Sequence, residues 1–62
     1  MGQYEPVAST HTVTGVSKAT GRRVRINRDN ESGNLHMWRP EDTGHVMYWG
    51  DVLNAYRDVR DA

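Results

Sequence analysis

The stretch Arg22-Arg23-Val24-Arg25-Ile26-Asn27-Arg28 decides how this chain is read, because its apolar and polar residues alternate with a period of two. Val24 and Ile26 share one parity, while Arg23, Arg25 and Asn27 take the other. In a strand, successive side chains point to opposite faces, so this pattern predicts one face toward a core and one basic face toward solvent. A helix would scatter the same residues around its circumference.

Working backward, residues 18–21 (Lys-Ala-Thr-Gly) end in the residue that accepts positive φ without strain, which predicts a hairpin turn. Residues 11–17 before it are dense in β-branched Thr and Val and predict a strand. Residues 1–9 carry Gly2, Pro6 and no periodicity, and are expected to form a flexible N-terminal arm ahead of one small domain over residues 10–62.

Working forward, residues 29–34 hold only turn and solvent-seeking types and predict a second loop. A third strand is expected over residues 35–39, with Leu35 and Met37 on one side and His36 and Trp38 on the other, closed by Pro40. Residues 45–49 are either a short fourth strand or the start of a helix. From Trp49 on, apolar residues at Trp49, Val52, Leu53, Tyr56 and either Ala55 or Val59 follow the helical i, i+3, i+4, i+7 spacing. With Asp51 as N-cap, the spacing predicts a helix over about residues 51–60. The expected architecture is α+β: a three-stranded antiparallel sheet packed on one C-terminal helix whose stripe covers Val24, Ile26, Leu35 and Met37.

With 62 residues there is room for one core. A chain this short buries only about 60% of the surface its unfolded form exposes. It has no cysteine, so neither a disulfide nor a thiolate zinc site can reinforce it. No run of 18 apolar residues is present, and no leader or lipidation signal is visible. A cytoplasmic protein with no membrane partner is expected.

The net charge is zero, but the charges are segregated. Five of the eight basic residues, Lys18, Arg22, Arg23, Arg25 and Arg28, fall within eleven positions that contain no acid. The last third is acidic, with Glu41, Asp42, Asp51, Asp58 and Asp61 against Arg57 and Arg60. Lys18, Arg22, Arg23, Arg25 and Arg28, with His36 and Trp38 on the neighbouring strand, therefore form the candidate nucleic-acid site. A sheet with outward arginines can enter a major groove, where the arginine fork pairs with guanine and flanking charges hold phosphates. The competing structural reading is that antiparallel sheets commonly have one solvated face on which Arg is ordinary.

Trp38, Tyr48, Trp49 and Tyr56 form the second notable set. In so small a core Trp49 is expected to be structural, whereas Trp38 belongs either to the core or to a contact surface. His11, His36 and His45 show no metal-ligand spacing, and Ser9, Ser17 and Ser32 lie in no nucleophile motif. No metal, no cofactor and no enzymatic activity are expected.

The order of elements resembles the AP2/integrase N-terminal type of DNA-binding domain. The resemblance is carried by Gly15-Val16, Gly21-Arg22, Arg25-Ile26 with Asp29, Gly33 ahead of Trp38, and Ala55-Tyr56-Arg57-Asp58. It implies a three-stranded sheet lying on a helix, with Arg23, Arg25, Arg28 and Trp38 facing DNA. Two functional readings follow: a small DNA-binding or regulatory module whose partner is duplex DNA, or a small phage or mobile-element module that docks on a host protein through Trp38 and the arginines. The acidic segment could also meet the basic hairpin of a second copy, giving a homodimer.

Overall fold

The computed structural model describes residues 12–29 and 37–62. The N-terminal arm, His11, Leu35, His36 and the loop of residues 30–34 lie outside the described residues. Five strands and one helix follow in the order β1 (Thr12–Ser17), β2 (Arg23–Arg28), β3 (Met37–Pro40), β4 (Met47–Tyr48), α1 (Trp49–Ala55) and β5 (Tyr56–Asp61). The fold is α+β, a curled antiparallel sheet in the order β4-β3-β2-β1-β5, with the helix connecting the two edge strands β4 and β5 along the chain.

The β1–β2 hairpin is fixed by its turn. Gly21 takes φ 76°, and its N–H donates to the Ser17 carbonyl at 2.8 Å. Ser17 Oγ accepts from the N–H groups of Ala19 and Thr20 at 3.2 and 3.3 Å. These bonds set the register that pairs Val13 with Ile26 and Thr14 with Arg25. Val13, Gly15 and Ser17 consequently share the inner face with Val24 and Ile26, and all five are buried.

Three expectations are corrected. The sheet has five strands rather than three, with the 45–49 ambiguity resolved as β4 running straight into α1. The helix covers Trp49–Ala55 instead of residues 51–60, and Asp51 lies in its first turn while Tyr48 occupies the N-cap position without a side-chain cap bond. Beyond Ala55 the chain turns extended and pairs with β1, through Ser17 with Tyr56, Val16 with Arg57 and Thr14 with Arg60. A short exposed helix is marginal in water, whereas this pairing satisfies the second edge of β1. The stripe itself holds in part: Trp49, Val52 and Tyr56 are buried and Leu53 is half-buried.

The third correction concerns the parity of β3, where the expected architecture puts Met37 rather than Trp38 on the core side and leaves Trp38 itself open between core and contact surface. The β2–β3 register sets Ile26 beside Pro40 and Arg28 beside Trp38, so Trp38 and Pro40 turn inward and Met37 turns out. Trp38 is fully buried and its ring lies 5.0 Å from that of Trp49, tilted by 48°. Burying an indole removes far more apolar area from water than burying the thioether beside it. The core is thus Val13, Val24, Ile26, Trp38, Trp49, Val52 and Tyr56.

β5 reaches the core through a bulge. Its register against β1 shifts between Thr14 and Val16, where Asp58 adopts φ 52°. Gly15 lies opposite. A Cβ there would stand 2.9 Å from Tyr56 Cβ and 3.1 Å from Val59 Cγ2, so only glycine lets β5 close on β1.

Candidate nucleic-acid interface

Paired residues in an antiparallel ladder share a face, so the registers specify what the outer surface carries. β2 contributes Arg23, Arg25 and Asn27, and β1 contributes Thr12, Thr14 and Val16. Opposite Val16 and Thr14, β5 adds Arg57 and Arg60. On the other side Arg39 of β3 stands beside Asn27, and Met37 stands beside Tyr48 of β4. Five arginines from three strands therefore share one face: Arg23, Arg25, Arg39, Arg57 and Arg60.

These cations divide by partner. Arg23 spans β1 to reach β5: its Nη1 donates to Thr14 Oγ1 at 2.9 Å and to the Asp58 carbonyl at 3.3 Å, and its Nη2 pairs with Asp58 Oδ2. Arg60 Nη2 stands 3.6 Å from the same carboxylate oxygen. Arg39 donates to the Gly44 carbonyl at 2.8 Å and lies 3.6 Å from Asp29 Oδ2. Among the described ion pairs and side-chain hydrogen bonds, none involves the guanidiniums of Arg22, Arg25 and Arg57 or the Lys18 ammonium. All four residues are exposed. Arg25 and Arg57 stand on the sheet face, and Lys18 and Arg22 at the hairpin turn next to it.

The other expected site residues lie elsewhere. Arg28 shares parity with Val24 and Ile26 and is 6% exposed. Its guanidinium sits over the Trp38 ring at 4.5 Å, a cation–π contact inside the protein. Arg28 Nε and Nη2 meet no acceptor, nor do the indole nitrogens of Trp38 and Trp49. Trp38 belongs to the core and Arg28 is buried against it, so both lie on the side of the sheet away from the outer face. His36 lies outside the described residues.

Sequence reasoning missed Arg39, Arg57 and Arg60. The helix expected over residues 51–60 separates Arg57 and Arg60 from the sheet; only pairing of β5 with β1 brings them beside Arg23 and Arg25. Arg39 shares parity with Met37, and would have been found by placing Trp38 inside. On the inner side, Tyr56 Oη donates to Asp42 Oδ1 at 2.7 Å. Burial first, and then this bond and the charge of Asp42, push the phenol above its usual range.

No three His, Cys, Asp or Glu side chains among the described residues gather as a metal site, and no described helix is long and apolar enough to cross a membrane. Comparisons with protein-family models, curated proteins and solved structures found no match.

Proposed function

We propose that this protein is a small non-enzymatic module that binds nucleic acid by its phosphates on the outer face of the sheet. The observation that carries the reading is that Arg25 and Arg57 project from that face with no carboxylate partner among the described residues, with Arg22 and Lys18 beside them and Asp58 shared by Arg23 and Arg60. Partner-free guanidiniums keep their donors for phosphate oxygens, and each contact made releases condensed counterions. Of the residues that the resemblance to AP2/integrase N-terminal domains would put on DNA, Arg23 and Arg25 lie on this face. Trp38, expected with the arginines to contact a host protein in the second reading, is buried, which favours the phosphate-binding reading.

The test is an NMR titration of isotope-labelled protein with random-sequence DNA, duplex and single-stranded, at low and high salt. Amide shifts confined to outer-face residues of β1, β2 and β5, and suppressed by salt, are expected. Shifts absent at low salt with both DNA forms and with a single-stranded RNA of the same length would remove the proposal.

A further inference from the structure

The four registers place one exposed aromatic in line with the arginines. Met37 stands opposite Tyr48, Asn27 opposite Arg39, Thr14 opposite Arg25, and Val16 opposite both Arg23 and Arg57. Stepping from Tyr48 to Arg39 to Arg25 moves one strand over and two residues along each time. With strands about 4.8 Å apart and a rise of about 3.3 Å per residue, each step is about 8 Å. A further step across β1, of about 12 Å, reaches Arg57. Tyr48, Arg39, Arg25 and Arg57 thus form a diagonal track across all five strands. Tyr48, at 56%, is the one large hydrophobic residue that is exposed among the described residues. Its inward neighbour in β4, Met47, packs on the core instead.

We infer that the nucleic acid taken by this face is single-stranded, with one unpaired base stacked on Tyr48 and the following phosphates on Arg25 and Arg57, past Arg39, whose guanidinium also bonds the Gly44 carbonyl and stands 3.6 Å from Asp29. The inference rests on the phosphate-binding reading above and narrows it. Five strands span about 19 Å, wider than the roughly 12 Å major groove, so a duplex cannot meet Tyr48 and Arg57 together through that groove. A base within a duplex also keeps its faces stacked on its neighbours, and an aromatic platform is useful only to a base that is free. A single strand lying along the diagonal meets both conditions. DNA and RNA share this chemistry.

Fluorescence anisotropy with a labelled twelve-nucleotide oligothymidylate, an oligouridylate of equal length and a random twelve-base-pair duplex, at about 50 mM salt, tests it. The single strands are expected to bind at least tenfold more tightly than the duplex, and the tighter of the two identifies DNA or RNA as the preferred source. Tyr48→Ala should weaken single-strand binding about tenfold, whereas Tyr48→Phe, which keeps the ring, should stay within about twofold of the unsubstituted protein. Tyr48 makes no side-chain cap bond to α1, so the alanine variant keeps its helix start. Equal or tighter duplex binding, or an unchanged affinity for Tyr48→Ala, would overturn the single-strand inference and leave the phosphate reading standing if Arg25→Ala still weakens binding. No binding of any of the three probes would overturn both.

Discussion

Arg23 of β2 and Asp58 of β5 are joined across β1, the guanidinium taking both the carboxylate and the backbone carbonyl of the aspartate. The pair ties the two strands that flank β1 and sits at the bulge where Asp58 has positive φ. It also sets the charge of the outer face, because the same carboxylate stands 3.6 Å from Arg60.

Asp58→Asn should therefore raise nucleic-acid affinity. Asparagine tolerates the left-handed backbone about as well as aspartate, and loss of an exposed ion pair costs only about 0–1 kcal/mol. With Arg23 and Arg60 released, the salt dependence on a single strand should steepen by about 0.7 for each added phosphate contact. Anisotropy titrations at several salt concentrations check this. A shallower slope would place the contact surface elsewhere.

Arg28→Met should leave nucleic-acid binding unchanged and should not lower the melting temperature. The guanidinium is buried with two of its nitrogens unpaired, and desolvating a charge without full pairing costs several kcal/mol. The contact with Trp38 returns only about 1–2 kcal/mol of that. A methionine of similar length keeps the packing on the indole ring. Circular dichroism melts decide; a large fall in melting temperature would mean that the charge itself holds the core.

The period of two in β1 and β2 and the turn between them were legible because each is a local signal: β-branched residues, alternation, and glycine at a positive φ. Strand β5 was not. The residues from Tyr56 to Asp61 make sense as a strand only beside β1, some forty positions earlier, and local periodicity carries no information on such pairing. The candidate site split the same way. Arg23 and Arg25 could be placed from parity within β2. Arg28 has the inner parity of Val24 and Ile26, but its charge favours solvent in any local reading; the Trp38 ring that seats it comes from a different strand.

Trp38→Ala should unfold the protein, since truncating a buried tryptophan costs about 3–5 kcal/mol, comparable with the whole stability of a domain this small. Gly15→Ala should also destabilise it strongly, because the new Cβ meets Tyr56 and Val59. Leu53→Ala, at a half-buried position, should cost less than either. Chemical denaturation of the three variants gives the order. A Leu53→Ala variant less stable than Trp38→Ala would contradict the placement of the core.

Alkaline pH should destabilise the fold through Tyr56. Its folded pKa lies above the unfolded value of 10.0, so between the two the unfolded chain releases a proton that the folded chain keeps. The stability from this phenol is complete below pH 10 and falls as pH rises toward the folded value. Tyr56→Phe should lose the hydrogen bond to Asp42, about 1 kcal/mol at neutral pH, and show a flatter stability profile above pH 10. Melting temperatures from pH 7 to 11 test this. Parallel profiles for the two proteins would show that Tyr56 is not the group responsible.

The most direct test of the outer-face claim is the slope of log affinity against log salt for an oligothymidylate, measured for the unsubstituted protein and for the Arg25→Ala, Arg57→Ala double variant. Both side chains are exposed, so the variant should melt at nearly the same temperature as the unsubstituted protein. Two lost phosphate contacts should lower its affinity and make its slope shallower by about 1.4. Parallel lines of equal affinity from two equally folded proteins would contradict the claim that these arginines hold the phosphates.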